Sequence, residues 1–258
     1  MREGHLGTLR RVALWIEYVG TQYHGWQRQD GVCSIQETLE CALEKILCHP
    51  VLLHCAGRTD KGVHAQKQIV HFDTLSSRKI DALVFGTNVF LPPDIRVLKA
   101  WEVSLDFHAR YSALSRRYQY KILNRAVSSP ILHQRALWFK YPLEIAPMHQ
   151  AAQSLLGEQD FSALRGSECQ SKTPWRCVYQ ASVTRSQIDP DHVIFDIEAN
   201  AFLHHMVRNI VGMLLPIGQL HKPPEALAEV LKTQDRRQAG VTAPPEGLYL
   251  VDVKYPEG

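Results

Sequence analysis

The residues best suited to chemistry are Arg58 and Asp60, in the run Ala56-Gly57-Arg58-Thr59-Asp60-Lys61-Gly62-Val63-His64. A carboxylate follows a guanidinium by two residues in a short loop bracketed by Gly57 and Gly62. The loop lies between two runs that pattern as strands, Val51 to Cys55 and Ala65 to Phe72. Glycine reaches backbone angles that other residues avoid, so the loop can turn tightly and let a ligand approach its main chain. An arginine beside an aspartate favours the ionised carboxylate and can orient it through paired hydrogen bonds. That is the preparation of a single catalytic carboxylate. A plain tight turn, with Asp60 bonded to its own backbone and Arg58 in water, uses the same residue types. Taken alone the loop fits the turn more simply, and the rest of the chain shifts the balance.

Arg116-Arg117-Tyr118-Gln119-Tyr120 alternates as a strand does, which puts Arg117, Gln119 and Lys121 on one face and Arg116, Tyr118 and Tyr120 on the other. An aromatic beside arginines on a sheet face can stack an unpaired base while its phosphates are held. Half-buried sheet tyrosines with wet hydroxyls give the same pattern. Arg208 falls on the polar side of an apolar helical stripe, near His205 and Gly212, and the glycine invites close approach by a backbone or a ligand. Gln170 to Arg176 is a polar, basic loop suited to RNA contact or to plain solvation. The doublets Arg10-Arg11, Arg116-Arg117 and Arg236-Arg237 can each meet a phosphate or simply end an element in solvent.

The elements that must carry these residues follow from periodicity. Val12 to Tyr18 reads as a strand. Ser34-Ile35-Gln36-Glu37 has the form of a helix capping box, and Ile35, Leu39, Leu43, Ile46 and Leu47 recur behind it at helical spacing. Arg78 to Phe90 reads as a helix, and Ile95 to Val103 and Arg116 to Leu123 as strands. Further on, Arg135 to Lys140, Trp175 to Ser186, Val193 to Ala199 and Leu248 to Val253 read as strands. Ala146 to Leu156, a stretch from Leu203 to Leu214 and Pro224 to Lys232 read as helices. The expected fold class is α+β, as two ferredoxin-like β-α-β-β-α-β halves whose mostly antiparallel sheets join with helices packed on one face. The expected division is 1–128, with the Asp60 loop, and 129–258, completing the active-site cleft.

A chain of 258 residues can bury a sizeable core, and 45% hydrophobic with 21% charged residues is ordinary for a globular enzyme. A formal net charge of +3 permits a polyanionic partner without requiring one. The six cysteines contain no Cys-x-x-Cys pair and are expected to act as small buried hydrophobes, so neither a zinc site nor a disulfide framework is signalled. No His-Glu-x-x-His spacing occurs, and His204-His205 cannot place both rings on one helix face. No signal segment and no apolar run of membrane length is seen, so a reduced, cytoplasmic protein without a membrane partner is expected.

These runs occur in the order found in one family. The chain resembles the tRNA pseudouridine synthase A (TruA) family from Val12 to Tyr255, through Gly25-Trp26-Gln27-Arg28-Gln29, Ala56 to Asp60, Phe107-His108-Ala109-Arg110, Arg116 to Tyr120, Cys169 to Arg176, His204 to Gly212 and Glu246 to Leu250. The resemblance implies isomerisation of uridine to pseudouridine at positions 38, 39 and 40 in the anticodon arm of tRNA. It also implies a homodimer without metal or organic cofactor. Residue by residue, it makes Asp60 the catalytic aspartate, Arg58 the arginine paired with it, Tyr118 the aromatic on the target base and Arg208 a second active-site arginine. Arg110, in its own matching run, becomes a substrate-binding candidate. Two positions depart from the family pattern: Lys61 stands where a small residue is usual, and Val19 where an acidic one usually precedes Gly20. They bear on rate and RNA fit rather than on reaction type.

The reaction breaks the bond between ribose C1′ and uracil N1, turns the base and joins C5 to the same carbon. The nucleotide must leave its stack to be reached. Asp60 can stabilise positive charge at the sugar, attack carbon or remove a ribose proton, and the sequence does not choose among these. Two other classes remain: a catalytically inactive RNA-binding protein on the same scaffold, and a small-molecule hydrolase using Asp60 with a histidine. The intact Asp60 speaks against the first, and the scattered arginines against the second.

Overall fold

The computed structural model describes residues 8–256. The expectation of no signal segment therefore rests partly on residues outside those described. The strands are β1 (Arg10–Tyr18), β2 (His54–Cys55), β3 (His64–Thr74), β4 (Ile95–Val103), β5 (Ser115–Asn124), β6 (Leu137–Phe139), β7 (Gly157–Asp160), β8 (Trp175–Arg185), β9 (His192–Ala199) and β10 (Leu248–Lys254). The helices are α1 (Ile35–Leu47), α2 (Ile80–Phe90), α3 (Ile145–Gln153), α4 (Met206–Gly218) and α5 (Ala226–Thr233). No helix among the described residues is long and apolar enough to cross a membrane. The chain forms two compact units, one of residues up to Leu114 together with those from Leu250 onward, the other Ser115–Tyr249. β5, which the periodicity assigns to the first half, thus belongs to the second unit.

In the first unit the order β1-α1-β2-β3-α2-β4 is the expected β-α-β-β-α-β. The antiparallel sheet runs β4-β1-β3, with β2 on the other edge of β3. Central β1 buries Val12, Leu14 and Ile16 completely, each burial worth about 1.5–3 kcal/mol. α1 begins at the capping box: Ser34 Oγ accepts from Glu37 N at 3.3 Å, and Ile35, Leu39, Leu43 and Leu47 are buried. The same helix also buries two polar residues. Glu40 Oε1 accepts from Leu53 N at 3.0 Å and from Gln36 Nε2 at 2.9 Å. Residues 51–53 therefore bond to a helix side chain, and β2 shrinks from the expected five residues to two. The end of the chain closes this unit: Leu114 N donates to Lys254 O at 2.8 Å, and Lys67 Nζ to Asp252 Oδ1 at 2.6 Å.

In the second unit β5, β9, β8 and β7 are consecutive and antiparallel, and β6 pairs parallel with the end of β5. β7 was not expected, because Gly157-Glu158-Gln159-Asp160 has no apolar alternation. α4 starts at Met206, so Leu203 precedes it rather than opening it. The side of α4 that carries Arg208 and Gly212 is covered by the chain itself. Ala243 N donates to Arg208 O at 3.1 Å, and a Cβ on Gly212 would lie 1.9 Å from Val241 O. Close approach at this glycine is thus made by backbone. Asn209, fully buried, donates to Leu164 O at 2.8 Å and accepts from Arg236 Nη2 at 3.0 Å and Thr242 Oγ1 at 2.7 Å.

Asn209→Leu keeps the volume and strands these partners. An unsatisfied buried polar group costs roughly 1–3 kcal/mol, so a loss of about 3 kcal/mol is expected in urea unfolding. A loss below about 0.5 kcal/mol would show that Asn209 does not hold this region.

Candidate active site

The Asp60 loop is anchored at almost every backbone position. Ala56 N donates to Ile69 O at 2.8 Å, ending the β2–β3 ladder. Gly57 is held by one side chain: Gln68 Nε2 donates to its carbonyl at 2.6 Å, and Gln68 Oε1 accepts from its N–H at 3.3 Å. Thr59 O accepts from Trp26 N at 2.9 Å, and Asp60 O from Val63 N at 3.1 Å. The hydroxyls of Thr59 and Tyr18 lie 2.8 Å apart. Two glycines of the preceding loop form the floor. A Cβ on Gly25, where φ is +89°, would fall 2.6 Å from Thr59 O, and one on Gly20 would fall 1.9 Å from Val63 O. Gly20 N in turn donates to His64 Nδ1 at 3.1 Å.

Against this fixed backbone, Arg58 and Lys61 are exposed and Asp60 is half-buried. The expected guanidinium–carboxylate pair is not formed: Arg58 has no ion pair or hydrogen bond among the described residues, and its guanidinium faces solvent. Thr59, between Arg58 and Asp60, turns its side chain inward to Tyr18. Lys61 lies 3.1 Å through Nζ from His24 Nε2, so it does not turn back on Asp60.

Arg110 sits in a segment held by imidazoles. His108 Nδ1 accepts from Arg110 N at 3.1 Å and from Tyr111 N at 3.3 Å, and His71 Nδ1 accepts from Ala109 N at 3.1 Å. The His71 ring meets those of His54 and His108 at centroid distances of 5.0 and 4.6 Å. Tyr255 Oη donates to Ala109 O at 2.7 Å. Arg110 itself is exposed, 5.6 Å from the Tyr111 ring centre. No periodicity or motif spacing marks these histidines as a group.

In the second unit, burial alternates along β5 as expected, with Arg116, Tyr118 and Tyr120 buried and Arg117, Gln119 and Lys121 half-buried. Tyr118 is 7% exposed, and its ring meets Phe202 edge-on at 5.0 Å. Arg208 Nε donates to Ala243 O at 2.8 Å. His204 and His205 precede α4, and left-handed backbone at His205 lets their rings stack with centroids 3.8 Å apart. The helix-face objection to their meeting therefore does not apply. In the Gln170–Arg176 loop, Arg176 is buried and bonded to Thr173 O and Ser171 Oγ, whereas Lys172 and Trp175 are exposed.

The arginine doublets are engaged by the protein. Arg11 forms a two-point pair with Asp73 at 2.7 and 2.9 Å, and Arg117 does the same with Asp196 at 2.7 and 2.8 Å. Arg236 bonds Asn209, Gly240 and Thr242, and Arg237 bonds Asp235. The cysteines also differ from expectation: only Cys55 is buried, while Cys33, Cys41 and Cys48 are exposed.

A carboxylate on a loop with an anchored backbone and exposed cations, and an aromatic on an antiparallel sheet, are parts suited to an enzyme that handles a nucleotide base. The chain belongs to the tRNA pseudouridine synthase family, whose model matches residues 14–112 and 151–256. It is 50% identical over 257 residues to the tRNA pseudouridine synthase A of Enterobacter sp. (strain 638), covering 100% of this chain and 94% of the relative. It is 53% identical over 246 residues to that of Aeromonas salmonicida (strain A449), covering 95% of this chain and 90% of the relative. The corresponding protein of Shewanella loihica is 51% identical over 247 residues, covering 96% and 94%. Membership makes the protein an isomerase that forms pseudouridine in tRNA.

Burial, then the neighbouring His108, Arg11 and His54, holds the His71 imidazole down to about 4 from an ordinary 6.5. Below 6.5 the unfolded chain takes up a proton that the folded protein refuses, so stability falls as pH drops from 6.5 to about 4. His108 is lowered too, again mainly by burial, and acts in the same direction. Asp73, lowered chiefly by its bond to Arg11, weakens the fold only below its ordinary 3.8. Urea midpoints at pH 7 and pH 5 should show the loss, with a smaller loss in His71→Gln. Equal slopes in both proteins would remove His71 as the cause.

Proposed function

We propose that the protein isomerises uridine to pseudouridine at positions 38, 39 and 40 of the tRNA anticodon arm, with Asp60 as the catalytic carboxylate. The observation that carries this reading is the loop: its backbone is bonded on both sides of Asp60, and two glycines bring neighbouring main chain against it. A catalytic group must be held this way, because small misplacements of a reacting atom cost large factors in rate. Asp60 faces developing positive charge at C1′, attacks that carbon, or takes a ribose proton.

Tyr118 is assigned to the target uracil, replacing stacking lost when the nucleotide turns out. Arg208 is assigned to the same site as a second arginine. Arg58, which faces solvent, is assigned to RNA rather than to Asp60, and the exposed Arg110 is assigned to phosphate. The reading includes a homodimer, a cytoplasmic setting, and no metal or organic cofactor. It assigns the carboxylate loop to the first part of the chain, 1–128, and completion of the cleft to 129–258. Nothing favours an inactive RNA-binding protein, which would have no need of a carboxylate fixed this closely.

Asp60→Asn preserves shape and removes charge. Pseudouridine formation on tRNA transcripts, followed by chemical mapping of positions 38–40, should vanish while tRNA binding persists. Turnover near wild type would remove Asp60 from the chemistry.

For Tyr118, a stacking role and a proton-transfer role predict opposite orders. Tyr118→Phe should keep most single-turnover activity, and Tyr118→Ala should lose about 1–3 kcal/mol of transition-state stabilisation. Phe and Ala equally inactive would require the hydroxyl itself.

A further inference from the structure

The geometry points to Tyr18, Thr59 and Gln68 as positioning residues for pseudouridine formation: a buried chain of hydrogen bonds that aims Asp60 without touching the uridine. Gln68 is fully buried, Tyr18 is 2% exposed and Thr59 7%. No solvent relieves a broken link there, so each link is strongly directional in effect. Gln68 Nε2 donates to Gly57 O at 2.6 Å and reaches Tyr18 Oη at 3.5 Å, while Gln68 Oε1 accepts from Gly57 N. Tyr18 Oη in turn shares a hydrogen bond with Thr59 Oγ1, 2.8 Å away. Burial raises the Tyr18 pKa, so the phenol stays protonated at working pH and can take either role in that bond.

These links close on both sides of Arg58. Gly57 is gripped through its amide and carbonyl, and Thr59 through its side chain and, by Trp26 N, its carbonyl. The Thr59–Asp60 peptide then cannot rotate, and that rotation is what would swing the Asp60 side chain. Tyr18 comes from β1 and Gln68 from β3, paired neighbours at the centre of the first unit's sheet. The loop is thereby referred to the most rigid part of that unit. The inference rests on the reading that Asp60 is the catalytic group of tRNA pseudouridine formation.

The test uses the full chain and unmodified tRNA transcripts, with single-turnover rate, tRNA Kd and Tm measured for Tyr18→Phe, Thr59→Val, Thr59→Ser and the Tyr18→Phe/Thr59→Val pair. Each of Tyr18→Phe and Thr59→Val should slow the reaction roughly ten- to hundredfold, as expected for a displaced reacting group. Kd should stay within about twofold of wild type, a split between chemistry and binding that a general loss of structure does not give. The double variant should be no slower than the slower single, because each single already removes the Tyr18–Thr59 bond. Thr59→Ser keeps the hydroxyl and should run near the wild-type rate. Unchanged rates in Thr59→Val, additive losses in the pair, or Thr59→Ser as slow as Thr59→Val would each overturn the proposal. If Tyr18→Phe does not fold, the Val and Ser variants at Thr59 decide alone. A wild-type protein that forms no pseudouridine, or an active Asp60→Asn, would instead sink the reading beneath it.

Discussion

The interaction on which the first unit depends is the contact of main chain with main chain at Gly20 and Gly25. Where a Cβ would fall 1.9 Å from Val63 O and 2.6 Å from Thr59 O, no side chain larger than hydrogen fits. The preceding loop can therefore lie directly under the Asp60 loop and offer its Trp26 amide to Thr59. Hydrogen bonds between backbones have little freedom once closed, unlike those of long side chains. The backbone on either side of Asp60 is therefore set by the path of the chain.

Arginine in this protein works mostly inward. Arg11, Arg117, Arg165, Arg176 and Arg236 hold carboxylates or backbone carbonyls. A planar guanidinium with several fixed donors can join segments distant in sequence, as Arg11 does between β1 and residues 105–107. Arg58, Lys61 and Arg110 are among the exposed cations of the first unit that lie on its loops.

Much of the element order was legible because local rules governed it. Ser34 with Glu37 fixed the start of α1, alternation fixed β5, and β4 has the bounds its pattern indicates. The match to a family came through runs such as Ala56–Asp60 and His204–Gly212, whose residues carry the resemblance directly. What could not be read depends on partners far along the chain. Gln36, Gln68 and Asn209 look like surface amides in the sequence, yet each is buried against backbone made elsewhere. The shortening of β2 follows from Glu40, thirteen residues before Leu53. Arg58 makes no ion pair with Asp60 although the two are only two residues apart, and nothing in the structure explains its direction.

The first unit contains residues from both ends of the chain, with Leu250–Lys254 joined to residues 67 and 114. Joining residue 67 to residue 252 closes a very long stretch of chain, and that entropy is lost before the contact repays it. The contacts within Ser115–Tyr249 span shorter separations. Folding of the first unit is therefore set by a long-range closure, and its sheet is completed later than the more local pairings of the second.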